Sequence, residues 1–122
     1  MNLVFERLGF EVGLGWVLFE EWLDLLGVID EGSSSLNRLD GVKNLVLHKP
    51  LSVLRDFLRG RGLRSSEVDS VIGSLGLRVR EARDFGELKE LLRGLLVDCD
   101  ERFGRGCVKV LWPALSEVYG SL

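Results

Sequence analysis

The stretch Lys43-Asn-Leu-Val-Leu-His48, followed at once by Lys49-Pro50, decides how the rest of the chain is interpreted. Three consecutive apolar residues between polar ones are typical of a short buried strand. Proline is favoured at the first position of a helix, and it pushes the residue before it towards an extended conformation. The stretch therefore predicts a strand over 43–48 and a helix from Pro50 to about Arg59.

The same pattern recurs near the other end of the chain. Cys107-Val-Lys-Val-Leu-Trp112 precedes Pro113, which predicts another strand and a short final helix. Between these strands, apolar and arginine residues alternate over 77–80, as in a half-exposed strand. Each of the two later strands is preceded by a helical pattern. Ser65 or Ser66 caps the first helix, and Asp84 caps the second.

These elements predict an α/β fold. A strand, a helix and a second strand in this order form a βαβ unit, whose crossover is usually right-handed. The expected architecture is a small sheet of about three strands that contains a βαβ unit, with an N-terminal helix added. An all-helical bundle is the alternative, because periodicity alone does not distinguish a short strand from a buried helical segment.

The N-terminal segment predicts a helix over 12–26 with apolar residues at helical spacing. Gly13 and Gly15 weaken its start, since each costs about 1 kcal/mol relative to alanine inside a helix. Its acidic residues exclude a transmembrane span, which needs about 20 nearly uncharged residues. We expect a single domain over 1–122, with an N-terminal helical segment (1–29), a loop (30–37) and an α/β core (38–122).

Composition and charge bound the class of protein. With 122 residues, 46% hydrophobic and 29% charged, the chain fits one globular domain. The absence of glutamine and the abundance of charged residues hint at a heat-adapted source. Residues 1–36 hold seven acidic residues and one basic residue, whereas residues 37–64 hold seven basic and two acidic residues. Such an uneven distribution suits an internal complementary face or the surface of a homodimer.

An oligomer interface is predicted on the N-terminal helix. The side chains proposed to form it are large and mostly aromatic, and such residues are enriched at interface hot spots. They are Trp16, Phe19, Trp22 and Leu23. The alternative is that these side chains form the core of the single chain.

An anion site is predicted in the glycine-rich stretch 59–64. Guanidinium groups on such a turn can point towards phosphates or carboxylates, and the turn leads to the N-terminus of a helix. The residues of this candidate site are Lys49, Arg59, Arg61 and Arg64, with Arg55 nearby. The alternative is a solvated basic turn. The spacing of a phosphate-binding P-loop is absent.

The remaining chemistry-bearing residues predict little. His48 is the only histidine, and it has no partner evident in the sequence for acid–base catalysis. Cys99 and Cys107 with His48 are one ligand short of a structural zinc site, so no metal and no cofactor are expected. The two cysteines are interpreted as small buried apolar side chains, or as a disulfide where the source tolerates intracellular ones.

The function predicted from these features is a small, soluble, cytoplasmic, non-enzymatic binding or regulatory module. It acts through homo-oligomerisation or a protein partner, without a membrane. The alternative is a protein that binds nucleic acid or a phosphate ligand through the basic 59–64 loop. This alternative is less favoured because the isoelectric point is near 5.2.

Overall fold

The computed structural model describes residues 3–31 and 38–121, and within these ranges it contains seven α-helices and no strand. The predicted α/β fold, with its βαβ unit and its α/β core over 38–122, is therefore wrong. The all-helical alternative fits. The helices are α1 (Leu3–Leu8), α2 (Phe10–Glu31), α3 (Arg38–His48), α4 (Pro50–Gly60), α5 (Ser65–Glu81), α6 (Phe85–Phe103) and α7 (Cys107–Ser116).

The first predicted strand, 43–48, is the second half of α3. The helix buries Val42 and Val46, four residues apart, so its apolar pattern begins before the run that suggested a strand. Lys49 has helical backbone angles, and its N–H donates to the carbonyl of Leu45 at 3.3 Å. The proline at position 50 therefore starts α4 without forcing the residue before it to be extended.

The other two predicted strands are also helical. Residues 77–80 continue α5, whose buried residues Val68, Ile72, Leu75 and Val79 follow one helical stripe. Gly76 is buried within this helix. Residues 107–112 begin α7, which continues through Pro113 as one helix. Each local apolar run was thus part of a longer pattern with a spacing of three and four residues.

The predicted helices are confirmed, with longer bounds. The helix expected over 12–26 is α2, and the helix from Pro50 is α4. Asp84 caps α6, because its Oδ1 accepts a hydrogen bond from the backbone N–H of Glu87 at 2.8 Å. Gly104 ends α6 with a φ of 117°, which glycine adopts without strain.

The helices pack around one apolar core. The largest fully buried side chains come mostly from four helices, α2, α4, α6 and α7, with one valine each from α1 and α3. They include Trp16, Phe19 and Leu23 of α2, Leu54 and Leu58 of α4, Leu88, Leu92 and Leu96 of α6, and Leu111 and Leu115 of α7. The N-terminal helices thus share the core of residues 38–121. The predicted loop 30–37 lies outside the described residues from position 32 onwards.

Two glycines at the start of α2 are close contact points between helices. A Cβ at Gly13 would lie 2.6 Å from the ring of Phe5 in α1, and a Cβ at Gly15 would lie 2.5 Å from the ring of Trp112 in α7. The helix continues through both positions. These glycines therefore allow α1 and α7 to approach α2 closely, at a cost in helix propensity of about 1 kcal/mol each.

Candidate functional site

The solvent-exposed side of α2 carries a row of large apolar side chains, which Glu21 interrupts between Leu18 and Leu25. Phe10 is 71% exposed, Leu14 47%, Leu18 48%, Leu25 57%, Val28 67% and Ile29 40%. We call these six residues the outer face of α2. Monomeric proteins rarely expose contiguous apolar patches of more than a few hundred Å², and larger patches mark interaction sites.

The outer face is a single strip along the helix. At about 100° per residue, its six members fall within a sector about 100° wide, on the side opposite the core. The strip runs from Phe10 to Ile29, a length of about 28 Å at 1.5 Å per residue. Two charged residues fall in this sector, Glu11 at its edge and Glu21 within it. Glu21 forms no ion pair with a described residue.

The side chains predicted to form an oligomer interface lie mainly on the opposite side of the same helix. Trp16, Phe19 and Leu23 are buried in the core of the single chain. Trp16 stacks on Phe19 with ring centroids 5.5 Å apart. Trp22 is half-buried at the edge of the outer face, 5.5 Å from the ring of Tyr119. Of the four predicted residues, Trp22 is therefore the one that borders an exposed surface.

The polar side of α2 is connected to α6 by ion pairs. Lys89 contacts Asp24 at 3.0 Å and Glu20 at 3.8 Å, and Arg93 contacts Glu20 at 3.8 Å. The hydrogen bond to Asp24 raises the pKa of Lys89, although burial acts in the opposite direction. Part of the acidic excess of the N-terminal segment is therefore balanced inside the chain by α6.

The residues of the predicted anion site do not come together in one cluster. Lys49 lies at the start of α4 and forms an ion pair with Glu117, whereas the three arginines lie beyond or at the other end of that helix. Arg64 contacts Glu67 at 3.8 Å, and Arg61 lies over the ring of Phe57. The remaining arginine, Arg59, is exposed.

A different group of basic residues lines a cleft between α5 and the α3–α4 turn. The cleft has a volume of about 410 Å³. Its polar wall contains His48, Ser52, Arg55, Asp69 and Arg80, and its apolar wall contains Leu47, Leu51 and Ile72. We call it the α4–α5 cleft. It includes the single histidine of the chain, but the structure pairs that imidazole with no acid–base partner among the described residues.

The two cysteines form a disulfide that joins α6 to the start of α7. Cys99 and Cys107 are both fully buried, with their Cα atoms 5.5 Å apart. The junction is further held by Asp100, whose Oδ1 accepts a hydrogen bond from the N–H of Val108 at 3.0 Å. Within residues 3–31 and 38–121, no group of histidine, cysteine and acidic side chains is arranged to hold a metal ion.

Comparison with known proteins adds no function, because no protein-family model, curated protein or solved structure matches the chain. None of the helices in the described part of the chain combines the length and apolar character needed to cross a membrane. The candidate functional surfaces are therefore the outer face of α2, the basic 59–64 loop and the α4–α5 cleft.

Sequence reasoning missed both the outer face of α2 and the α4–α5 cleft. The signal for the outer face was present, since Leu14, Leu18 and Leu25 have helical spacing on the side away from Trp16. The cleft had no comparable signal, because Arg55 and Arg80 are brought together only by the packing of α4 on α5.

Proposed function

We propose that the protein is a non-enzymatic binding or regulatory module that self-associates through the outer face of α2. The observation that carries this proposal is the row of six large apolar side chains left exposed on a helix whose opposite side is already buried. Burial of apolar surface is the main favourable term in protein association, at about 25 cal/mol per Å².

A second copy of the chain suits this face because the strip is nearly symmetric about its own centre. In an antiparallel pair of α2 helices, Leu14 of each copy faces Leu25 of the other, and Phe10 faces the Val28–Ile29 end. This is an isologous arrangement, in which the same patch serves both copies. The same register places Glu21 of each copy opposite Leu18 of the other, whereas a parallel pair would place Glu21 directly against its equivalent, and like charges repel.

The charges around the strip argue against a membrane surface as its occupant. Helices that lie on membranes carry lysine and arginine on their polar side, because lipid headgroups are commonly anionic. The α2 sequence contains neither, and its charged residues are all acidic. An anionic membrane would therefore repel the polar side of this helix.

Light scattering coupled to size exclusion, with the Leu18→Glu variant, tests the proposal. A dimer is expected for the natural chain at both low and high salt, because the interface is apolar. The variant places a charge in the middle of the strip and is expected to be monomeric. Leu77→Glu is the matched control, since Leu77 is 53% exposed on α5 and should leave the dimer intact.

Two outcomes would contradict self-association through this face. One is a natural chain that stays monomeric at concentrations of about 100 µM, far above the dissociation constant of a specific dimer, which is micromolar or tighter. The other is a dimer that persists in Leu18→Glu, and its loss in Leu77→Glu would place the interface on α5. Circular dichroism of both variants establishes that each substitution leaves the helical fold intact. As a gain-of-function arm, Glu21→Leu is expected to strengthen the dimer.

Nucleic-acid or phosphate binding through the 59–64 loop is the weaker alternative. Arg64 is engaged by Glu67, and Arg61 packs on Phe57 and Gly104, which leaves Arg59 as the arginine with no such contact. An oligonucleotide shift assay at about 50 mM salt tests it, because phosphate contacts are strongest at low salt. Retention that is lost in Arg61→Ala would favour this alternative over the module proposed above.

A cytoplasmic location remains part of the proposal, together with a heat-adapted source. With a disulfide between Cys99 and Cys107, a cytoplasmic location requires such a source. Disulfides are rare in the cytosol of mesophiles but are common in intracellular proteins of hyperthermophiles. A melting temperature below about 65 °C, the usual upper range for mesophilic domains, would count against a heat-adapted source.

A further inference from the structure

The α4–α5 cleft contains two arginines whose charges are not balanced by neighbouring carboxylates. Neither Arg55 nor Arg80 forms an ion pair with a described residue. The Nε of Arg55 is buried and has no hydrogen-bond partner, although a buried unpaired donor costs about 1–3 kcal/mol. Guanidinium groups without carboxylate partners are suited to bind an oxyanion through their remaining N–H groups.

A buried lysine adds positive charge behind the wall of the cleft. Lys43 is only 8% exposed, and its Nζ donates to the backbone carbonyl of Arg80 at 2.9 Å. No described carboxylate forms an ion pair with this ammonium group. The cleft itself contains one acidic side chain, Asp69, so its fixed charges sum to a positive value.

The space in the cleft is kept open by a glycine in the middle of α5. A Cβ at Gly73 would meet nothing within 4 Å, so no neighbouring group requires a glycine there. Glycine inside a helix costs about 1 kcal/mol relative to alanine. At Gly76, by contrast, a Cβ would lie 3.4 Å from Leu47, where the helices are in contact. The missing side chain at Gly73 therefore enlarges the cleft without serving the packing.

We propose that the α4–α5 cleft binds a small organic anion, with Arg55 and Arg80 contacting a phosphate or carboxylate group. The apolar wall of Leu47, Leu51 and Ile72 would contact the body of the ligand. The volume of about 410 Å³ is within the range of small-molecule sites. Asp69 lies in the same cleft, and its negative charge opposes that of the ligand. The inference is independent of self-association, because the cleft shares no residue with the outer face of α2.

Isothermal titration calorimetry at constant ionic strength tests this site with three probes: inorganic phosphate, phenyl phosphate and benzoate. Binding with a stoichiometry of one per chain is expected for a phosphate probe or for benzoate. Tighter binding of phenyl phosphate than of benzoate assigns the site to phosphate, and the reverse order assigns it to carboxylate. Binding of none of the three probes at 10 mM, on the order of the weakest affinity that such a site would show, overturns the proposal.

Matched variants locate the binding. Arg55→Gln and Arg80→Gln are each expected to weaken it by about tenfold or more, the effect of losing a charge-assisted hydrogen bond. Arg59→Gln is the control, because Arg59 lies one turn from Arg55 on α4, is exposed and does not line the cleft. An equal loss in Arg59→Gln would assign the binding to general surface charge and would refute the cleft.

Two further variants separate the site from a structural effect. Gly73→Leu places a side chain in the open space and is expected to abolish binding without lowering the melting temperature, since leucine favours the helix. Asp69→Asn removes the opposing negative charge and is expected to tighten binding by about threefold or more. Binding to Gly73→Leu that equals binding to the natural chain would show that the probe occupies another place.

Discussion

Helices α2 and α6 pack against each other, yet their solvent-facing sides differ in kind. The inner side of each helix contributes large residues to the core, as Leu23 and Leu92 do. Outwards, α6 carries charged residues such as Glu90, Asp98 and Arg102, whereas α2 carries the outer face described above. A helix with charged residues on its outer side has a polar surface suited to contact with water. A helix that is apolar on two sides leaves a hydrophobic surface in water, which is typical of an interaction site.

The largest expected effect separates the two sides of α2 itself. Leu23 and Leu25 are two positions apart, and Leu23 is fully buried whereas Leu25 is 57% exposed. Leu23→Ala is expected to lower the free energy of unfolding by about 2.7–5 kcal/mol, through lost contacts and a cavity. Leu25→Ala should change it by less than about 0.5 kcal/mol. Urea unfolding of both variants in the Leu18→Glu background measures these free energies without self-association. Equal decreases for Leu23→Ala and Leu25→Ala would contradict the conclusion that Leu23 faces the core and Leu25 faces solvent.

The next effect concerns the covalent connection that α6 has and α2 lacks. The disulfide closes a loop with a sequence separation of 8 residues. For a loop of this size, the chain-entropy relation gives a stabilisation of about 2.5 kcal/mol. Replacing both Cys99 and Cys107 by alanine should lower the free energy of unfolding by about this amount in urea titrations. Addition of reductant during unfolding should lower it for the natural chain and leave the double variant unchanged.

A smaller effect distinguishes two kinds of glycine within helices. Gly13→Ala should destabilise the fold by about 1–3 kcal/mol, because the new methyl group would collide with Phe5 where α1 crosses α2. Gly73→Ala should instead stabilise it by up to about 1 kcal/mol, because its methyl group enters open space. Thermal unfolding of the two variants side by side gives shifts of opposite sign. Shifts of the melting temperature with the same sign would mean that Phe5 of α1 is not in close contact with Gly13 of α2.

The smallest effect is the pH dependence of the ion pairs that hold α2 to α6. The pKa of Lys89 is raised in the folded chain, mainly by its hydrogen bond to Asp24. This contribution is therefore fully present below the ordinary lysine value of 10.5 and is lost as the pH rises above it. Lys89→Met should cost less than about 1 kcal/mol at pH 8, and the difference from the natural chain should shrink by pH 11. Lys109→Met, an exposed lysine on α7, is the control.

Helix α6 shows what local sequence can determine. Its capping aspartate and its helical apolar pattern lie within one continuous segment, and both were predicted correctly. By contrast, residues 43–48 of α3 and 107–112 of α7 were predicted as strands, because each short segment contains a run of adjacent apolar residues. Their helical pattern appears only over a longer span, such as Cys107, Leu111 and Leu115 in α7.

The candidate surfaces depend on information that no local window contains. The spacing in α2 revealed apolar residues around most of the helix, but the side that faces inwards is chosen by where α6 and α7 pack. The aromatic side was therefore predicted as an interface, whereas the structure buries Trp16 and Phe19 and leaves the aliphatic side exposed. Likewise, the cleft combines Arg55 of α4 with Arg80 of α5, and only the contact between these helices brings them together.

Reduction of the buried disulfide also measures how often α6 separates from the start of α7. Thiol reagents must reach a sulfur atom to reduce the bond, and Cys99 and Cys107 have no exposed surface in the folded chain. Reduction thus proceeds only through transient separation of α6 from the start of α7. At high reductant concentration its rate becomes independent of the reagent and equals the frequency of that opening. The chain then records a local fluctuation without any added label.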